Sequence, residues 1–173
     1  VDLKQLNSKY GPWFGFIARL LLGAVLFAAG WLKIFEPAKS QMAVRAYELL
    51  PISIANFMGI VLPWLEVAIG VTLILGIAVR FSAVVGGALM LMFIFAISQA
   101  ALRGLSIDCG CFGGGGTVEP GKTKYLSEII RDLGLGLLAL YLIRYPLTKL
   151  ALEKLDLTES STMKNPKRED EKE

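Results

Sequence analysis

The stretch FSAVVGGALMLMFIFAISQAAL (Phe81–Leu102) has no ionisable side chain from end to end. A bilayer core asks for about 20 such residues in helical form, and inside hydrocarbon a helix lets one segment satisfy its own backbone polar groups. The stretch therefore reads as a membrane span. Ala83 and the pair Gly86-Gly87 mark where a neighbouring helix is expected to approach closely. The rest of the chain agrees: its 173 residues are 54% hydrophobic with a mean hydropathy of +0.57. That is more apolar than an ordinary soluble domain, and the excess is gathered into long blocks.

Toward the N-terminus, Arg80 closes a preceding span, Ile52–Val79, which carries Pro63 and Glu66 midway. A proline there leaves a backbone carbonyl without its helical donor and favours a kink. Residues 38–50 are too short and too charged to cross. With Met42, Ala46, Leu49 and Leu50 to one side and Lys39, Arg45 and Glu48 elsewhere, they predict an amphipathic helix at the interface, ended by Pro51. Residues 13–35 form the first span. Trp13, Phe14 and Trp31 lie near its ends as interfacial aromatics do, Arg19 near one end is placed to snorkel, and Lys33 sits at the other. Glu36-Pro37 stops it. Residues 1–12 are polar. The first apolar run is long and has no small-residue cleavage site, so it is expected to be a retained anchor.

Toward the C-terminus, Arg103-Gly104 leads into residues 104–124, a loop holding both cysteines of the chain, Cys109 and Cys111, followed closely by Gly113–Gly116. Residues 125–145 form a fourth span with Arg131 and Asp132 in its first turns, and Pro146 follows. Residues 147–173 end in a charge run and read as a disordered, solvated tail. The expected architecture is all-α: an integral membrane four-helix bundle (13–146) with spans at about 13–35, 52–79, 81–102 and 125–145. A short interfacial helix separates spans 1 and 2, and the cysteine loop separates spans 3 and 4.

Four spans put both termini on one side of the membrane. Outside the spans, ten Lys and Arg residues fall on the terminal side and six on the loop side. The positive-inside rule then places the termini in the cytoplasm and the cysteine loop outside the cell membrane, where a disulfide persists. The net charge of +3 suits juxtamembrane cations facing anionic lipid and gives no sign of nucleic-acid binding.

The chain has no histidine, which excludes a Cys/His zinc site, an imidazole base and a haem His ligand. Two cysteines are too few for a disulfide framework. Cys109 and Cys111, one residue apart, can close a very small ring, and strain makes such a disulfide easier to reduce. Gly110 tolerates the backbone angles this needs. That favours thiol–disulfide exchange. Two other readings stand beside it: a passive loop clip or inert thiols, and a soft-metal site with methionines such as Met42 as further donors.

The second signal is charge inside the spans, which is costly and normally partnered. Lys33, Glu66, Arg131 and Asp132 fall toward the loop side of the membrane, so Glu66 is expected to pair with Lys33 or Arg131. They are either helix-packing ion pairs or the lining of a polar pocket beneath the loop. Such a pocket would lower a thiol pKa, move protons or hold the carbonyl oxygens of a quinone. Arg45 and Tyr47 stand near its expected mouth.

Several of these pieces occur together: an arginine in the first helix, Ala-Gly-Trp-Leu-Lys at 29–33, Tyr-Glu-Leu-Leu-Pro at 47–51, Leu-Pro-Trp-Leu-Glu at 62–66, Cys-Gly-Cys-Phe-Gly at 109–113 and Arg-Asp at 131–132. In this the chain resembles the MauE family, four-helix membrane proteins grouped with the DoxX-like proteins, over roughly residues 13–146. The resemblance implies a part in methylamine utilisation: maturation of a disulfide-rich periplasmic client, the small subunit of methylamine dehydrogenase, beside a thioredoxin-fold, MauD-like partner. The expected function is a membrane thiol–disulfide oxidoreductase using Cys109 and Cys111, with electrons passing to or from a quinone. A non-catalytic assembly factor is the alternative. A permease is a third class, but no paired broken helices are visible.

Overall fold

The computed structural model describes residues 3–108, 116–117, 123 and 125–146. Within them lie five helices: α1 (Leu3–Ile34), α2 (Pro37–Ala46), α3 (Ile52–Leu75), α4 (Val79–Leu102) and α5 (Tyr125–Arg144). A minimal antiparallel ladder joins β1 (Ile107–Asp108) to β2 (Gly116–Thr117). The tail, 147–173, lies outside the described residues.

Three helices are long and apolar enough to cross a membrane: residues Gly11–Ile34 of α1, all of α3 and all of α4. The chain is a multi-pass membrane protein, and its outer surface agrees. Phe57, Trp64, Phe81, Leu91 and Phe95 are all more than half exposed, a distribution suited to lipid and not to water. The fourth expected span, α5, differs in composition because Glu128, Arg131, Asp132 and Arg144 fall within its 20 residues. Its outer face is nonetheless a stripe of exposed Leu126, Ile130, Leu133, Leu137 and Leu140, spaced as one side of a helix.

The helices run up and down. α1 packs along α3 and α4 along α5, with α1 also touching α5. The core between them is built from Leu22, Leu26, Ile69, Leu73, Ala83, Leu89, Met90, Leu135, Ala139 and Leu142. The close contact expected at Gly86-Gly87 is present, with a Cβ on Gly87 standing 3.3 Å from the Ala139 Cβ of α5, but the closest backbone approach is between α1 and α3. A Cβ on Gly30 would stand 2.5 Å from the Pro63 carbonyl oxygen, and one on Gly70 would stand 2.6 Å from the Phe27 nitrogen. At Gly86 the nearest atom is the tip of the Leu26 side chain at 3.3 Å. Gly30 and Gly70 let the helices touch backbone to backbone.

The second span ends earlier than Val79. Gly76 takes φ 74° and closes α3 at Leu75. Its amide and that of Ile77 bond back to the carbonyls of Leu73 and Thr72, a Schellman cap that only a residue at ease with positive φ closes without strain. Arg80 consequently lies inside the first turn of α4.

The helix expected over 38–50 is shorter at its C-terminal end, with α2 closing at Ala46. Met42 is exposed, as are Leu49 and Leu50 beyond the helix end, while α2 buries Ser40 and Ala43 against α3. The reason is Pro63. Having no amide, it leaves the Gly59 carbonyl without the usual i+4 donor, and the Ser40 hydroxyl donates to that carbonyl at 2.7 Å. Gly59 itself would place a Cβ 2.6 Å from the Gln41 Cα, so α2 sits directly on the α3 backbone.

Candidate functional site

Four of the ionisable residues singled out in the sequence converge, and each long helix contributes to their surroundings. The Lys33 ammonium, at the end of α1, donates to both carboxylate oxygens of Glu66 on α3 at 2.9 Å. It also lies 5.6 Å from the centroid of the Phe93 ring on α4, within cation–π range. On α5 the Arg131 guanidinium contacts Asp132 Oδ1 through two nitrogens, each at 2.9 Å. Glu66 is fully buried and Asp132 nearly so. Glu66 of the first pair and both members of the second border one cavity, so two cations and two carboxylates form one compensated group. Compensation of this kind is what makes charge tolerable at membrane depth.

Between the two pairs lies a cavity of about 20 Å³ lined by Val25, Glu66, Met90, Phe93, Arg131, Asp132 and Leu135. The second Asp132 oxygen, Oδ2, is buried and takes no hydrogen bond from the described residues. A space of this size, with Glu66, Arg131 and Asp132 set in an otherwise apolar lining, accommodates one water molecule. The four residues are thus suited to exchanging protons or ordering a water.

The second part of the site is the base of the cysteine loop. β1 and β2 pair Ile107 with Thr117 and Asp108 with Gly116, so the chain on either side of residues 109–115 is held together. β2 rests against α2. Tyr125, the first residue of α5, fixes β1 from the other side: its hydroxyl accepts from the Ile107 amide at 3.3 Å and donates to the Leu105 carbonyl. Arg103, just after α4, reaches across to the segment that follows α2, bonding the Tyr47 carbonyl and the Glu48 carboxylate at 3.0 Å each. The loop therefore springs from a base anchored to α2, α4 and α5 at once.

The family model described as "Methylamine utilisation protein MauE" matches residues 11–145. The chain belongs to the MauE family. A Methylamine utilization protein MauE from Methylorubrum extorquens is 42% identical over 99 residues, covering 56% of this chain and 50% of the relative. One from Paracoccus denitrificans is 34% identical over 98 residues, covering 56% and 53%. One from Methylophilus methylotrophus is 30% identical over 139 residues, covering 79% and 70%. The chain thus spans about half the length of the first two. No solved structure matches it.

Within this MauE-family chain, Lys33, Glu66, Arg131 and Asp132 stand together, and Glu66 takes Lys33 as its partner while Arg131 takes Asp132. Cys109 and Cys111 lie outside the described residues, although Cys109 directly follows the paired Asp108 in the chain. Arg45 and Tyr47 do not line the cavity; the Tyr47 carbonyl serves Arg103 instead. Arg19, expected to snorkel, is buried at 1% exposure with its guanidinium 5.4 Å from the Phe16 ring centroid. Ser40 and Tyr125 were not apparent as site residues. The signal for Ser40 was the carbonyl that Pro63 strands; nothing local marks Tyr125.

Proposed function

We propose that this chain is a membrane thiol–disulfide factor that presents Cys109 and Cys111 to a thioredoxin-fold partner outside the cytoplasm during maturation of a disulfide-rich client. The observation that carries this reading is the anchored base of the 109–115 loop. A two-cysteine segment that exchanges disulfides with another protein must be held outward while remaining free to open at the sulfurs. The β1–β2 ladder, the Tyr125 hydroxyl and the α2 shelf supply that hold.

The exchange balances within the two proteins. A partner thiolate attacks one sulfur of the Cys109–Cys111 disulfide, forming a mixed disulfide and releasing the other cysteine as a thiolate. The second partner thiolate then attacks its own half of the mixed disulfide, leaving the partner oxidised and the loop pair reduced by two electrons. The same intermediates serve the reverse direction. A lipid-soluble quinone is the carrier proposed to supply or take up these two electrons.

The topology proposed with this function has four crossings, with termini cytoplasmic and the loop extracytoplasmic. α5 supports it by turning Asp132 inward and its leucine stripe outward, so its charges need not meet lipid. Methylamine utilisation is the context named for the relatives and is proposed here for the client.

Cys109→Ser and Cys111→Ser, expressed separately in membranes holding the partner, test the reading. One of the two is expected to accumulate a mixed disulfide with a thioredoxin-fold protein, visible on a non-reducing gel. If neither captures such a protein and the double Cys→Ser variant still matures the client, the exchange reading is lost and a non-catalytic assembly factor takes its place.

A further inference from the structure

The end of the bundle opposite the cysteine loop carries two arginines that the proposed function does not use. Arg80 opens α4 just after the Gly76 turn, and Arg144 is the last residue of α5. Both are exposed, and no carboxylate among the described residues pairs with either. They meet at one cleft of about 320 Å³, whose other walls are Leu140, Ile143 and Pro146. Arg80 also borders a second cleft of about 370 Å³, lined by Ala78, Phe81 and Val84.

We propose that these two clefts are a binding site for one anionic phospholipid. The chemistry on either side of Arg80 is that of a diacyl lipid: guanidinium groups at the rim and an apolar groove running down each flank. Guanidinium pairs phosphate through two parallel hydrogen bonds, and basic clefts between membrane helices are suited to anionic headgroups. The grooves face the bilayer, since Phe81 is 67% and Leu140 61% exposed. An acyl chain laid against each would bring the phosphate to the arginines at the depth where headgroups lie. A soluble anion would meet the same arginines but gain nothing from Phe81, Val84, Leu140 or Ile143. The occupant is therefore a lipid and not free phosphate. In occupying both clefts it would tie the start of α4 to the end of α5.

The test uses the full chain purified in a non-ionic detergent, with bound lipid counted by native mass spectrometry. Phosphatidylglycerol, phosphatidylcholine of the same acyl chains and glycerol phosphate are added in turn. Phosphatidylglycerol is expected to be retained as a one-to-one adduct and the other two not. Arg80→Gln/Arg144→Gln is expected to weaken retention by roughly 30-fold, Arg144→Gln alone by roughly fivefold, and Arg45→Gln, remote from the clefts, not at all. Circular dichroism confirms that each variant is folded, and Arg144→Gln carries the test should the double variant fail. Equal retention of phosphatidylglycerol and phosphatidylcholine would overturn the proposal, as would retention unchanged in a folded variant. Glycerol phosphate competing as well as the lipid would assign the arginines to a soluble anion instead.

Discussion

The Ser40 hydroxyl donates to the Gly59 carbonyl, the acceptor that Pro63 deprives of its helical amide. This one bond explains why a short polar helix lies flat on a membrane span. Within a bilayer no water reaches a stranded carbonyl, and the group must find a donor from the protein.

Ser40→Ala is therefore expected to cost about 1–3 kcal/mol, the range for leaving a buried acceptor without a donor. The partnership has an internal check. In a Pro63→Ala background the residue at 63 regains an amide for Gly59, and Ser40→Ala should then cost clearly less. Unfolding in mixed micelles, followed by circular dichroism, gives both values. Equal costs in the two backgrounds would mean that Ser40 acts by packing alone.

Lys33 and Glu66 are held tightly, with Lys33 Nζ 2.9 Å from both carboxylate oxygens. Removing one member strands the other in a nearly closed site, so Lys33→Met or Glu66→Met alone should destabilise by about 3–5 kcal/mol. The double Met variant should lie closer to the parent than either single variant, because an apolar pair needs no compensation. The same unfolding assay decides it: a double variant worse than both singles would show that the pair is held by further polar contacts.

The glycines divide into two kinds. A Cβ at Gly70 would press on the Phe27 nitrogen and the Gly23 carbonyl oxygen at 2.6 and 2.8 Å, whereas one at Gly134 meets nothing within 4 Å. Backbone atoms cannot step aside as a side-chain tip can. Gly70→Ala should cost about 1–3 kcal/mol by forcing α1 and α3 apart. Gly134→Ala, on an exposed turn of α5, should be neutral or gain up to about 1 kcal/mol from helix propensity. Thermal midpoints in detergent rank the two variants directly.

The contrast also shows what the sequence could convey. The apolar spans were legible because length and the absence of charge are local properties. The grouping of Lys33, Glu66, Arg131 and Asp132 was legible because charge at membrane depth demands partners. The helix faces were not. α3 and α4 are apolar nearly all round, so no periodicity distinguishes the side of Gly70 from the side of Phe57. Gly86-Gly87 drew attention as a pair, although single glycines on α1 and α3 make the closest contact. The seating of α2 on α3 was hidden for a related reason. Its small residues, Ser40 and Ala43, are the ones buried against α3, while Met42 is exposed. Arg19 was assigned to the surface from its position near a helix end, and burial of that side chain depends on tertiary packing that no local pattern encodes.

Tyr125 offers a test of the loop base that does not touch the cysteines. Its hydroxyl both accepts from the Ile107 amide and donates to the Leu105 carbonyl, so Tyr125→Phe removes two bonds while keeping the ring. At about 1 kcal/mol of local stability, amide exchange at Ile107 should accelerate roughly fivefold while global stability hardly moves. Tyr141→Phe is the matched control: that hydroxyl donates to the Gly11 carbonyl at the other end of the bundle, and its loss should leave Ile107 unaffected. If β1 sets how the cysteine segment is presented, alkylation of Cys109 and Cys111 in the reduced protein should change with Tyr125→Phe and not with Tyr141→Phe. Faster exchange at Ile107 with unaltered alkylation would separate the two, leaving Tyr125 as a clamp on β1 that has no bearing on the thiols.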